Sequence, residues 1–301
     1  MRTLELFVAV ADHGSFTAAA RAMRASPPAV TRAVAELEAR LGVMLLHRST
    51  RAVSLTTEGA GFLEQARRIL ADLADAERQL AGMRVEPSGQ LHVTAPVMFG
   101  QIHVAPVVAE LIDRYPSLDV RLLLFDRNVR LVEEGIDVAV RIGLLTDSAL
   151  LAARIGTVRP AIVASPAYLA RFGVPTGPAD LASHRLIVSS GPRSTDEWRF
   201  DGRPAPAPRQ RLTVNTVAAA IVAAETGVGL ANLLHYQIEE ALAAGRLIEV
   251  LRPAASKALP VSLLFASGRS NSPATRAFID AMRDRARQCS WGLQGEPVPA
   301  D

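Results

Sequence analysis

A single cysteine, Cys289, stands in a chain of 301 residues, which excludes an intrachain disulfide and any cysteine-rich metal centre. That usage fits a reducing cytoplasm. Lysine is almost missing as well: Lys257 is the only one among 33 basic residues. The net charge of +3 is by itself too small to argue for nucleic acid. No stretch approaches the roughly 18 uninterrupted apolar residues that a membrane helix needs. The start does not read as a secretion signal, because the apolar run from Leu4 to Ala11 is broken by Glu5 and followed by Asp12 and His13. Catalytic patterns are also lacking. His13, His47, His92, His103, His184 and His235 are scattered, with no HExxH and no pair at metal-ligand spacing. There is no GxSxG elbow and no P-loop, and Gly227-Val228-Gly229 lacks the third glycine of a dinucleotide fingerprint. The expectation is a soluble cytoplasmic protein that is not an enzyme and carries neither cofactor nor metal.

What is present divides into three stretches. Apolar residues make up 49% and charged residues 21%, an ordinary globular composition, and the length exceeds what one core usually serves. Residues 1–57 read as three short helices and a small β element. Leu4, Phe7, Val8 and Ala11 recur at helical spacing before His13-Gly14 ends the first helix. Ser15 caps a second, from Phe16 to Met23. Ser26 caps a third, with Pro27 at the first helical position, where its missing N–H costs nothing. Val30, Val34, Leu37 and Leu41 give that helix an apolar stripe, and Gly42 ends it. His47 to Arg51 then joins two extended runs, Met44–Leu46 and Val53–Thr56.

Residues 58–86 are expected to form one long helix. Phe62, Ala66, Ile69, Leu73, Ala76 and Leu80 step alternately by four and three, a heptad seam that argues for pairing with a second helix. These six are the dimerisation candidates. Pro87-Ser88-Gly89 closes the segment, and residues 87–290 then alternate strands with helices. Leu91–Ala95, Val120–Phe125, Val138–Ile142, Leu186–Ser189, Leu230–Leu233, Leu247–Leu251 and Val261–Phe265 read as strands of a mainly parallel sheet. Residues 291–301, rich in proline and small side chains from Gln294 onward, read as a flexible tail that leaves Cys289 near a frayed end.

The third helix carries the functional argument. With its apolar stripe turned inward, its opposite face presents Pro28, Arg32, Ala35 and Ala39, with Thr31 beside them. Such a lean face permits close approach to the major groove, with a few polar groups to reach bases and phosphates. Ser26 and the N–H groups of the first turn suit a phosphate. Arg48 and Arg51 sit where a wing would meet the DNA backbone. Through Thr56 seven arginines face four acidic residues, which equals the +3 of the whole chain.

The ordered set Phe7-Val8-Ala9-Val10-Ala11, Gly14-Ser15-Phe16-Thr17, Ala19-Ala20, Ser26-Pro27-Pro28-Ala29-Val30-Thr31, Leu37-Glu38, Leu41-Gly42, Arg48, Arg51 and Leu55-Thr56-Thr57-Glu58-Gly59 resembles the N-terminal signature of the LysR-type transcriptional regulators. The resemblance continues through Gly89-Gln90-Leu91, Ala95-Pro96, Tyr115-Pro116, Asp137 to Arg141, Ala164-Ser165-Pro166 and Gly227-Val228-Gly229, and so covers nearly the whole chain. Pro27 and Thr31 depart from it, since glutamine and serine are frequent there, and Leu234 stands where proline is frequent.

The resemblance implies an α plus α/β fold: an N-terminal winged helix-turn-helix, a linker helix, and a two-lobed domain like the periplasmic binding proteins. The first lobe would comprise residues 90–161 and 268–290 and the second 166–264, with crossings near Ile162–Ser165 and Phe265–Ser267. Ser15, Thr17, Ser26, Pro27, Pro28, Thr31, Arg32, Ala35, Arg48 and Arg51 would form the DNA surface, reading an inverted repeat in double-stranded DNA. Pro96, Val97, Met98, Phe99, Gly100, Arg141, Asn215 and Thr216 would line an effector cleft. In it two helix N-termini and an arginine suit an anion, and the apolar run from Pro96 to Phe99 points to a small carboxylate with apolar bulk. Homo-oligomers, dimers and commonly tetramers, are implied, with no membrane partner. Competing readings are an effector-independent regulator, a solute-binding protein with appended helices, and an α/β enzyme.

Overall fold

The computed structural model describes residues 1–48, 53–80, 86–127, 129–143, 150–189, 198–200, 203–204, 209–252, 258–265 and 272–292. The chain forms two compact units, residues 1–90 and 91–301.

In the first unit, α1 (Arg2–His13) ends at Gly14, whose φ of 58° is the left-handed geometry that glycine adopts at least cost. Ser15 accepts from the N–H of Ala18 to start α2 (Phe16–Ala22). Ser26 accepts from Ala29 N–H to start α3 (Pro27–Leu41), which Gly42 ends. A three-residue antiparallel register, from Leu46 with Leu55 to Arg48 with Val53, closes the hairpin of β1 (Leu46–Arg48) and β2 (Val53–Leu55). Phe7, Val10, Ala19, Val30, Val34, Leu37, Leu45 and Leu46 fill the core of this unit. The α4 helix (Thr57–Leu80) opens with the N–H of Gly59 donating to Thr56 Oγ1 at 2.8 Å. Gly59 lies so close to the chain before the hairpin that any Cβ there would stand 1.9 Å from the Leu45 carbonyl oxygen.

The second unit contains two five-stranded sheets. Its chain runs through β3 (Gly89–Ala95), α5 (Val97–Phe99), a π turn (Gly100–Val104), α6 (Ala105–Arg114), β4 (Leu118–Leu124), β5 (Val138–Ile142) and β6 (Leu151–Val158). It continues as β7 (Pro160–Ala164), α7 (Pro166–Phe172), β8 (Arg185–Ser189), β9 (Arg199–Phe200), β10 (Arg203–Pro204) and β11 (Arg209–Val214). Then come α8 (Val217–Glu225), β12 (Leu230–Leu234), α9 (His235–Ala243), β13 (Ile248–Val250), β14 (Leu259–Phe265) and α10 (Pro273–Gln288). The π turn has a local cause. Pro106 offers no N–H, and its ring would strike the carbonyl one turn back, which a widened turn relieves.

Strand order β4-β3-β5-β14-β6 makes lobe I, and β11-β8-β12-β7-β13 makes lobe II. Both sheets are mixed rather than mainly parallel: β14 pairs antiparallel with β5 and β6, and β7 with β12 and β13. The crossings differ from those expected. The first is Arg159, between β6 and β7, because Pro160–Ala164 already belongs to the lobe II sheet. The second lies between Val250 and Leu259, so residues 259–264 return to lobe I instead of closing lobe II. The backbone turns out at Leu251, at φ 55°. The expected tail is also corrected. Trp291 is buried (3% exposed), its carbonyl accepts from Thr157 N–H at 2.7 Å, and Cys289 packs against the lobe I core. Residues 293–301 lie outside the described residues.

One side chain crosses the lobe border. Tyr236, in the first turn of α9 after lobe II strand β12, is buried in the lobe I core against Phe99 (ring centroids 5.3 Å apart) and His103. His103 is held neutral by its burial, which lowers its pKa to about 4. Among the described residues no helix is long and apolar enough to cross a membrane.

Gly59→Ala is expected to destabilise the first unit by roughly 1–3 kcal/mol, because backbone cannot yield as a flexible side chain would. Urea unfolding followed by circular dichroism should show an earlier first transition; an unmoved midpoint would mean that the approach of Gly59 to Leu45 is not a packing constraint.

Candidate functional site

The α3 helix buries Val30, Val34 and Leu37 and leaves Pro28, Thr31, Arg32 and Ala35 exposed, the lean face expected of it. Leu41 is 40% exposed and does not complete the stripe; Glu38, 5% exposed, takes its place on the inner side. The hydroxyls along this surface are occupied by their own helices. Thr31 Oγ1 donates to the Pro27 carbonyl (3.0 Å), Ser26 Oγ accepts from Ala29 N–H (3.4 Å) and Ser15 Oγ accepts from Ala18 N–H (3.3 Å). The start of α3 is therefore a poorer phosphate cradle than expected. Pro27 and Pro28 contribute no N–H, and that of Ala29 is already taken. Arg32 makes no ion pair among the described residues and is the cation this face offers. Thr17 is exposed on α2.

The hairpin beside α3 is fixed by Glu38, a residue the apolar spacing did not single out. Its Oε1 accepts from the N–H groups of Leu45 (2.9 Å) and Leu46 (3.1 Å), at the entry to β1. Thr56 Oγ1 donates to the Met44 carbonyl at 2.8 Å while accepting from Gly59. The α3 helix, the hairpin and α4 thus converge on residues 44–46. The available signal was an acid four residues after Val34, on the helix side that faces inward. Arg48 lies on β1 by its backbone, and Arg51 lies outside the described residues.

The α4 seam is divided between two uses. Phe62 packs against Phe7 with the rings tilted and their centroids 5.5 Å apart, and Ala66 is fully buried in the core of its own unit. An ion pair from Arg67 to Asp12 binds α4 to α1. Ala66 is therefore removed from the dimerisation set, because it is already covered, and Phe62 is drawn partly into its own unit. Ile69 remains 45% exposed and Leu73 half-buried, while the side chains of Ala76 and Leu80 lie outside the described residues.

The expected effector residues separate in the same way. Pro96, Val97 and Met98 are half-buried at the carboxyl end of β3, where an α/β sheet receives ligands. Phe99 and Gly100 are not on that surface. Phe99 is fully buried beside His103, Tyr236 and Trp291, and Gly100 is pressed against the Leu124 side chain. The helix N-terminus at Val97 is occupied by the protein's own anion, since Asp126 Oδ1 accepts from Val97 N–H at 3.0 Å. On the second lobe the cap of α8 is Thr216, accepting from Ala219 N–H, rather than Asn215; both are exposed.

Arg141 sits on β5 two residues before Gly143, whose N–H bonds the carbonyl of Pro260 just after the second crossing. Its Nη2 is buried without a hydrogen-bond partner among the described residues, and burial pulls its pKa down. Glu134 opposes that shift but is itself held at about 2, first by a hydrogen bond from Arg127, which grips it through two bonds of 2.9 and 2.7 Å. Thr94, paired with Ala139 on the same sheet face as Arg141, has a buried hydroxyl with no partner among the described residues. A cavity of about 200 Å³ between α6 and α10 includes Leu111, Tyr115 and Arg285 and none of these residues.

Comparison with known proteins agrees with this layout. Residues 1–60 match the family model described as bacterial regulatory helix-turn-helix protein, lysR family, and residues 84–287 match LysR substrate binding domain. The chain is 34% identical to the HTH-type transcriptional regulator PtxR of Pseudomonas aeruginosa over 93% of this chain and 91% of that one. It is 32% identical to the HTH-type transcriptional regulator CrgA of Neisseria meningitidis, over 92% and 94% of the two chains. The solved structure of CrgA, a LysR-type transcriptional regulator, has a TM-score of 0.61 and covers 94% of this chain and 98% of its own. These relatives are named as regulators, not enzymes, and the N-terminal match removes the reading of a solute-binding protein with extra helices.

Glu38→Ala would leave the N–H groups of Leu45 and Leu46 buried without an acceptor, a cost of roughly 2–4 kcal/mol. Chemical denaturation should show that loss in the first unit alone, and an intact first transition would contradict the clamp.

Proposed function

Because the chain belongs to the LysR-type family of transcriptional regulators, we propose that α3 reads the major groove of an inverted-repeat operator and that a small carboxylate bound between the lobes governs how the assembled oligomer bends it. Residues 1–57 act as the DNA-binding part and 58–86 as the connecting helix. The observation that carries the DNA reading is the outer face of α3: small, exposed side chains around one unpaired arginine, on a helix anchored by Glu38. With Thr31 and Ser26 engaged by the backbone, Arg32 is the side chain best placed to reach base edges. Two such units joined through the exposed part of α4 would meet half-sites about one helical turn apart, and dimers would associate further into tetramers.

The carboxylate reading rests on Arg141. A buried guanidinium nitrogen without a partner is rare and costly, and a carboxylate satisfies it with paired hydrogen bonds. Pro96, Val97 and Met98 supply apolar walls. Occupancy would favour one lobe arrangement and so shift the population of oligomer geometries and the bend they impose.

Arg32→Ala is expected to lose about 1–3 kcal/mol of specific operator binding with the fold intact, which gel shifts and footprints measure; unchanged footprints would reject the role. Calorimetry of the full chain against a panel of small aromatic and branched carboxylates should give heat with at least one, and Arg141→Gln should remove it. If every acid is silent, the effector-independent reading takes its place.

A further inference from the structure

Lobe II carries a group of cations that the effector cleft does not use. Arg171, at the end of α7, and Arg185, at the start of β8, bring their guanidinium carbons to 5.2 and 4.6 Å from the centroid of the Phe172 ring, on which Tyr168 also stacks at 4.7 Å. Arg209 stands opposite Arg185 in the parallel register of β11 and β8, and Arg211 follows two residues later at a break in that register. Arg171, Arg209 and Arg211 are exposed and Arg185 is half-buried. None of the four has an ion-pair partner among the described residues, whereas Arg159 is bound to Glu249 and Arg246 to Glu225 and Glu240.

Topology puts the group at the pole of lobe II. The β12 strand ends at Leu234, and the next N–H, of His235, bonds the Arg159 carbonyl at the crossing. Because β8 and β11 run parallel to β12, their first residues, Arg185 and Arg209, lie at the opposite end. Edge strands are often blunted with charge, which accounts for Arg209 and Arg211 on β11. It does not account for two further arginines off that edge, held on an aromatic face. Like charges with no partner among the described residues repel, and guanidinium groups held over a ring present donors only, the chemistry that takes phosphate oxygens.

We propose that this pole of lobe II is a second DNA contact, which grips the phosphate backbone of duplex outside the segment read by α3. Once α3 is bound, flanking duplex is present at high effective concentration, so a contact too weak to act alone is populated. It adds affinity and salt dependence without adding base preference.

The test uses the full chain and a variant carrying Arg171→Gln, Arg185→Gln, Arg209→Gln and Arg211→Gln. A site selected by the wild type from a random pool is placed in a short duplex of about 25 base pairs, enough for two half-sites, and a long one of about 60. Affinity is measured across a salt series. Each phosphate contact contributes about 0.9 to the slope of log affinity against log salt. On the long duplex the variant should lose at least about 2 from that slope and bind about tenfold or more weakly at low salt, with the short duplex unaffected. A variant with lysine at the same four positions should retain most of the slope. Equal slopes for variant and wild type on the long duplex would overturn the proposal. So would an equal loss on both duplexes, or intact DNA binding by a variant that no longer retains poly-glutamate, which would assign the pole to an acidic polypeptide.

Discussion

The carboxylate of Glu38 ties the start of the hairpin to α3 in a way that apolar packing cannot. Apolar packing is tolerant of small shifts, whereas two N–H groups converging on one oxygen specify where a strand begins relative to a helix. Through that oxygen the chain at Leu45 and Leu46 is fixed against α3, and the same stretch is pinned from the other side by Thr56 and by the close approach of Gly59. The outer face of α3 needs such support. Its side chains are short, so in the DNA-reading role proposed for it the helix itself must be held at the right depth.

A comparable economy of charge marks lobe I. The protein places its own carboxylate, Asp126, on the helix N-terminus behind Pro96, and another, Glu134, between Arg127 and Arg141. Two of the sites an anionic ligand would seek are thus already furnished. Among the described residues, the buried nitrogen of Arg141 and the hydroxyl of Thr94 remain unpartnered, both on one face of the sheet. Selectivity for a ligand would follow from how few of these groups remain unsatisfied.

The features legible in the sequence were local ones. Ser15, Ser26, Gly14 and Gly42 mark helix ends because capping depends on a residue and its next few neighbours. Strand identity was legible for the same reason, but strand partnership was not. Leu259–Phe265 is apolar wherever it goes, and only its pairing with β5 and β6 shows that the chain has already returned to lobe I. The seam of α4 misled in part because a helix cannot state from its own spacing whether Phe62 covers α1 or a partner. Trp291 looked like tail because its burial depends on Gly156 and Thr157, more than a hundred residues earlier.

Tyr236 gives the hinge an unexpected character. Two lobes joined only by crossing segments can open as a clam does, with little to choose among directions. Here a ring that travels with a lobe II helix is rooted among Phe99, His103 and Trp291 in the other lobe. Withdrawing it would expose a large apolar surface, so wide opening is the expensive motion. A swivel that keeps the ring seated would expose less of that surface, so Tyr236 acts as a pivot more than as a latch.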